Sequence, residues 1–219
     1  MNGPLRILIL AHGAQPSPQL ARTEALEHDF IIAVDGAAHT ARKLRIAPDV
    51  ICGDFDSLHI ETARVEFPDA TFVSTPDQNL ADLEKAVRFA LEKEPVEITI
   101  LGALGGRLDH TLGNLSLLLR YSSQTRISLK DDEGVYFALS GSPETPSRKQ
   151  IQTNIGDTIS LIAFVSETIV SVRGVQWELE NFPLEIGTHG VSNVAIGDSV
   201  VVSVCSGSVF VCHRPSSMQ

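Results

Sequence analysis

Val96-Glu97-Ile98-Thr99-Ile100-Leu101-Gly102-Ala103-Leu104-Gly105-Gly106-Arg107-Leu108-Asp109-His110 reads as a buried strand, a glycine-rich turn and the start of a helix. Residues 96–101 are mostly apolar, and residues 108–121 carry a helical pattern. A strand that hands a glycine-rich loop to a helix is the building unit of a parallel sheet covered on both sides. The unit recurs upstream. Strands are expected at 5–10, 30–34, ending at 50–52, and at 71–73. Helices are expected at 19–27, 37–44, 60–66 and 80–93, the last with Leu80, Leu83, Val87 and Leu91 at helical spacing. In such a sheet, ligands collect beyond the carboxyl ends of the strands.

After Tyr121 the helical pattern stops. Alternating and β-branched runs follow at 126–130, 135–139, 158–165, 168–172, 199–204 and 209–212, separated by Gly, Ser, Pro and Asn. Residues 140–149 have loop composition. The fold class is therefore α/β, an N-terminal mostly parallel sheet flanked by helices (1–125), followed by an all-β sandwich domain (126–219).

Composition narrows the function classes. A chain of 219 residues with 43% hydrophobic content buries a substantial core. Its formal charge of −10 argues against sequence-independent binding to nucleic acid or an anionic membrane. An anionic substrate then needs a local cation, whereas a cationic one is drawn in unaided. Cys52, Cys205 and Cys212 make an odd set with no Cys-x-x-Cys pair, which suits buried thiols in a reducing cytosol. No apolar run approaches the roughly 20 residues that span a bilayer, and the N-terminus lacks the pattern of a secretory leader. A cytoplasmic protein is expected.

Four strand ends carry polar or glycine-rich segments. Gly53-Asp54-Phe55-Asp56-Ser57 sets two carboxylates one residue apart, with Gly53 permitting a turn. Hard oxygens so placed suit Mg²⁺, which takes one or two carboxylates and fills its shell with water and substrate phosphates. A solvated turn capping a helix is the alternative. Thr75-Pro76-Asp77-Gln78-Asn79-Leu80-Ala81-Asp82-Leu83-Glu84-Lys85 sets Asp82 and Lys85 three apart, either an acid–cation pair for phosphoryl transfer or a surface ion pair. In the loop quoted first, Gly105 and Gly106 let main-chain N–H groups approach phosphate oxygens, and Arg107 can clamp them. The spacing matches neither the Walker loop nor the dinucleotide fingerprint. Asp35-Gly36-Ala37-Ala38 repeats the theme after 30–34. Taken together on one rim, the four segments point to a metal-dependent nucleotide or phosphoryl-transfer site.

Asp-Gly-Ala-Ala, Gly-Asp-Phe-Asp-Ser, Asp-Gln-Asn-x-x-Asp with Lys85, and Gly-Gly-Arg-x-Asp-His, in this order, resemble the thiamine pyrophosphokinase family. The resemblance is dense from Asp35 to about residue 119. It continues thinly through Gly174-Val175-Gln176-Trp177-Glu178-Leu179 and Gly190-Val191-Ser192-Asn193. It departs at Ala81, where Thr is usual, and at His39, where Asn or Asp is common. The resemblance implies transfer of diphosphate from ATP to the hydroxyl of thiamine, with AMP leaving. It implies Mg²⁺ held by Asp54, Asp56 and Asp82, and ATP or the reacting hydroxyl positioned by Gln78, Lys85, Arg107 and Asp109. Asp35 and Asp109 are both candidates for a base. It implies thiamine at Trp177, Ser192 and Asn193, and a homodimer with shared sites. Trp177 is either a stacking platform for the cationic rings or a sandwich-core residue. Two other functions stay in view: diphosphate transfer to another hydroxymethyl heterocycle such as a pterin, and a silent thiamine-binding module. Three clustered aspartates repel one another without metal, which argues against the latter.

Overall fold

The computed structural model describes residues 3–55, 58–75, 77 and 79–216. The chain divides into two compact units, Met1–Leu117 with Gln124–Asp132, and Leu118–Ser123 with Glu133–Gln219.

In the first unit strands and helices alternate: β1 (Arg6–Leu10), α1 (Pro18–Glu27), β2 (Phe30–Val34), α2 (Ala37–Leu44), β3 (Val50–Gly53), α3 (Ile60–Glu66), β4 (Thr71–Ser74), α4 (Asp82–Leu91), β5 (Glu97–Leu101), α5 (Leu108–Tyr121) and β6 (Arg126–Asp131). All six strands pair in parallel, in the order β6-β5-β1-β2-β3-β4. Successive side chains of a strand point to opposite faces, and in β1 Ile7, Leu8, Ile9 and Leu10 are all buried. Leu8 and Leu10 pack with Ala21 of α1 and Ala37, Ala41 and Leu44 of α2. The sheet is covered on its other face by α4, which lies on β1, β2 and β3.

Local chemistry sets the helix ends. Ser17 caps α1, its hydroxyl accepting from Leu20 N at 3.2 Å, with Pro18 in the first turn where a missing N–H costs nothing. Two boundaries differ from expectation. α4 starts at Asp82, so Leu80 lies outside it, because Ala81 holds an extended N-cap backbone. Strand β6, expected in the β-rich half, pairs with β5 from Glu97↔Arg126 to Leu101↔Lys130. Its Lys130 meets the buried Glu24 of α1, tying the strand to this unit.

The second unit holds β7 (Gly134–Gly141), β8 (Ser147–Gln152), β9 (Thr158–Ala163), β10 (Thr168–Arg173), β11 (Leu179–Leu184), β12 (Asn193–Val194) and β13 (Ser199–Arg214). The runs expected as two strands at 199–204 and 209–212 are one strand. Its first half pairs with β8 and β10, its second half with β7 and β9. The residues between them, read as a turn, form the bend where β13 passes from one sheet to the other. Gly207 sits at that bend with φ +79°, and a Cβ there would lie 2.4 Å from Thr168 Oγ1. Strand β8 begins within the segment expected as a loop, and β11 had no expected counterpart. Between the sheets lies a core of Ile159, Leu161, Val170, Val172, Val200, Val202, Val204, Val209 and Val211, all essentially inaccessible. Among the described residues no helix is long and apolar enough to cross a membrane.

Asp157, 1% exposed, anchors the end of β13. Burial alone would raise its carboxyl, but hydrogen bonds from Asn154 N (3.0 Å), His213 Nε2 (2.8 Å) and Ser216 N (2.8 Å) outweigh it and hold the pKa at about 2. A carboxyl depressed on folding stabilises the protein above its unfolded pKa of about 4, and that stability is lost as pH falls towards 2. The prediction is a contribution of about 2 kcal/mol at pH 6 that fades between about pH 4 and pH 2. Urea unfolding of wild type and Asp157→Asn across that range checks it. The two curves should converge at low pH.

Candidate active site

The strand order reverses at β1. The chain builds outward through β2, β3 and β4, then crosses back to lay β5 on the other side of β1. The segments leaving β1 and β5 stay hydrogen-bonded to each other as far as Ala14 and Leu104, and the carboxyl ends of the strands at such a reversal are the ligand position of doubly wound sheets. A cavity of about 590 Å³ lies there, lined by residues 11–14 after β1, Asp35 after β2, Asp82 at the start of α4, and Gly105, Gly106 and Arg107 after β5. His110 and Asn114 of α5 complete the wall.

The loop after β5 is left-handed at three glycines, with φ of 70°, 75° and 72° at Gly102, Gly105 and Gly106. At Gly105 a Cβ would also strike the Ala14 side chain at 2.8 Å, whereas at Gly106 the surrounding space is open, so backbone conformation alone demands glycine there. Such a turn of successive main-chain N–H groups forms an anion-binding concavity.

Gly53 does something other than turn the chain. It is the last residue of β3, and the left-handed residue is Phe55, with φ 64°. The absence of a side chain at Gly53 makes room for Asp35, whose Cβ would lie 2.8 Å from a Cβ built there. Asp35 itself is buried and left-handed, with φ 41°, its N–H donating to Cys52 O at 2.8 Å. A strained aspartate held at a strand end is the kind of geometry kept at functional sites.

Asp82 is the first residue of α4, whose N-cap Ala81 supplies no side-chain hydrogen bond. Its carboxylate sits at the positive end of the helix and accepts from Lys85 Nζ at 2.8 Å. The pair is no surface bridge, because the Lys85 side chain is only 6% exposed. Both groups act on Cys52 at the end of β3. Burial, then the charge of Asp82, push its thiol up to about 12, with Lys85 opposing and Asp35 adding to the rise. Arg107 and Asp109 are exposed and joined twice, Nε to Oδ1 at 3.1 Å and a second guanidinium nitrogen to Oδ2 at 2.5 Å. The guanidinium's hydrogen bonds hold the Asp109 carboxyl at about 2, which makes it a weak base at neutral pH.

Of the residues read from the sequence, Asp35, Asp82, Gly105, Gly106 and Arg107 line one cavity, Lys85 pairs with Asp82 from within α4, and Asp54 follows β3 on the same rim. Asp56 and Gln78 lie outside the described residues. Among the described residues no three His, Cys, Asp or Glu side chains gather at metal-binding range. In the second unit Trp177 is 58% exposed, which rules out a core role. Asn193 braces it: Oδ1 accepts from Trp177 N at 3.1 Å and Nδ2 donates to Trp177 O at 2.7 Å. Ser192 is left-handed, its N–H donating to Ser160 Oγ at 3.0 Å. Sequence reasoning missed His12, Gly13 and Ala14 after β1, and Asn114. The signal was a His-Gly directly behind the first apolar run, but its meaning depends on β5 returning beside β1.

A doubly wound α/β unit with a glycine-rich, acid-flanked crevice at its switch point is a nucleotide- or phosphate-handling enzyme domain. Residues 22–130 match the profile described as thiamin pyrophosphokinase, catalytic domain, and residues 148–209 that described as thiamin pyrophosphokinase, vitamin B1 binding domain. The chain is 32% identical to thiamin pyrophosphokinase 1 of Caenorhabditis elegans over 83% of its own length and 77% of the relative's. It is 33% identical to the Bacillus subtilis enzyme over 83% and 85%. The crystal structure of thiamine pyrophosphokinase from Bacillus subtilis superposes with a TM-score of 0.83 at 28% identity, over 96% of this chain and 99% of that one. The chain belongs to the thiamin pyrophosphokinase family.

Gly53→Ala tests the rim. The added methyl is expected to displace Asp35 and cut kcat/KM on the order of 10²-fold, with the circular dichroism of the folded protein retained. Steady-state kinetics check this, and an unchanged rate contradicts the contact.

Proposed function

We propose that this chain transfers the terminal diphosphate of ATP to the hydroxyl of thiamine, giving thiamine diphosphate and AMP. The observation that carries the reading is the switch-point crevice, where a glycine-rich loop, Asp35 and Asp82 line one cavity and the buried Lys85 pairs with Asp82, in a chain of this family. The thiamine oxygen attacks the β-phosphorus, the bond from that phosphorus to the oxygen bridging to the α-phosphorus breaks, and AMP leaves with that oxygen. The loop amides at Gly105 and Gly106, with Gln78, Lys85 and Arg107, hold the phosphates in line. Positioning and electrostatics do most of the catalytic work in such transfers. Asp109 fixes the Arg107 guanidinium, and Asp35 is the better placed of the two aspartates to accept the hydroxyl proton.

The donor set fits Mg²⁺. It is made of hard carboxylate oxygens, and this ion takes only one or two of them beside phosphates. Asp54, Asp56 and Asp82 would hold it, and when bound it neutralises charge on the transferred diphosphate. Trp177, held by Asn193, offers its exposed ring to the cationic thiamine, with Ser192 alongside. The reading places the enzyme in the cytoplasm, in keeping with three cysteines that form no disulfide.

Incubation with ATP, Mg²⁺ and thiamine is expected to yield AMP and thiamine diphosphate, with activity lost in EDTA and restored by Mg²⁺. Asp54→Asn, Asp56→Asn and Asp82→Asn should each lower kcat/KM by about 10². ADP with thiamine monophosphate would contradict diphosphate transfer, and turnover of a pterin in place of thiamine would reassign the substrate.

The nucleotide-side residues all precede Tyr121, while Trp177, Ser192 and Asn193 lie in the second unit. The reading therefore includes a homodimer with two sites, each built from both chains, the two-fold pair being the commonest assembly. Mixing inactive Trp177→Ala with inactive Asp56→Asn under subunit exchange should restore activity. A fully active monomer by light scattering, or no rescue despite proven exchange, would contradict it.

A further inference from the structure

Five consecutive carbonyls at the end of β5 each have a donor within reach. Ala11 N donates to Leu101 O at 2.8 Å, Gly13 N to Gly102 O at 2.6 Å and Ala14 N to Leu104 O at 2.9 Å. Asn114 Nδ2 donates to Ala103 O at 2.7 Å, and Thr111 Oγ1 lies 3.5 Å from Gly105 O beside its shorter contact with Arg107 O at 3.3 Å. Three donors are main-chain amides of the segment after β1, and two are side chains of α5. In a trans peptide the N–H points opposite to the C=O. Each held carbonyl therefore turns the N–H of the next residue away from that carbonyl's own donor. The carbonyl dipoles, which would repel an anion, are satisfied by protein.

Asn114 is the one side chain in this set that makes a short bond, and it is half-buried in the wall of the same cavity. We propose that Asn114 is a positioning residue for the phosphates of the nucleotide: by holding the Ala103 carbonyl it fixes the loop that carries the Gly105 and Gly106 amides, whose residues line the same cavity. The role rests on the nucleotide reading above. Gly102 and Gly105 flank the Ala103–Leu104 peptide, and glycine gives the least resistance to rotation. Without the amide donor the peptide is free to turn its oxygen towards the anion. The cost falls on ATP and leaves thiamine untouched.

Calorimetric titration with ATP and Mg²⁺, and separately with inorganic pyrophosphate, tests this on wild type, Asn114→Ala and the isosteric Asn114→Asp. Asn114→Ala is expected to weaken both ligands about tenfold, and Asn114→Asp at least as much. KM for thiamine and kcat at saturating ATP should stay within a factor of about two. Thr111→Val, which loses the longer contact, should give a smaller loss in the same direction and serves if an Asn114 variant does not fold. Wild-type ATP affinity in Asn114→Ala, or equal rises in the constants for ATP and thiamine, would overturn the role. A wild-type protein that binds no ATP would overturn the nucleotide reading, and this role with it.

Discussion

Two main chains meet at the ends of β1 and β5, where Gly13 N donates to Gly102 O at 2.6 Å. A Cβ at Gly13 would lie 2.4 Å from that oxygen, so the approach exists only because the side chain is absent. From this contact the rest of the site follows. It locks the loop after β5 against the segment after β1, at the point where the sheet reverses direction. The loop in turn sets the register at which α5 begins, and so where Arg107, His110 and Asn114 stand. Helices on both faces of the sheet hold the strands beneath it and leave only the rim open.

Around this frame a chain of net charge −10 has to receive a highly anionic substrate. It does so with local features that no net charge reports. In the proposed site main-chain amides, which carry no formal charge, would point their positive ends at the ligand. Lys85 brings one cation into a nearly buried position, held by Asp82. In the proposed site Mg²⁺ would turn the effect of the rim aspartates on the phosphates from repulsion to attachment. A permanently positive cleft is not needed, and the acidic surface still favours the cationic second substrate.

Much of this was legible in the sequence because it is local. Apolar runs ending in Asp35, Gly53 or Gly102 marked the strand ends, and the helices expected at 37–44 and 108–121 match α2 and α5 to the residue. Asp82 and Lys85 could be paired by spacing alone. What the spacing could not say was that Lys85 is buried, since that depends on how α4 lies on the sheet. Gly53 was read for its freedom to turn, whereas its value is the space it leaves for Asp35, a contact between strands remote in sequence. His12, Gly13, Ala14 and Asn114 went unread because they matter only once β5 returns beside β1. In the second unit, the residues around Gly207 looked like a turn because Ser-Gly-Ser is turn chemistry. Pairing on both sides of the bend overrides that local preference and keeps β13 one strand.

The central claim is that phosphates of the nucleotide sit against the glycine-rich loop between the ends of β1 and β5. A crystal structure with Mg²⁺ and the α,β-methylene analogue of ATP, which cannot release AMP, tests it most directly. The account predicts phosphate oxygens within hydrogen-bond distance of the main-chain amides of Gly105 and Gly106. Phosphates bound elsewhere, with those amides turned to solvent, would contradict it.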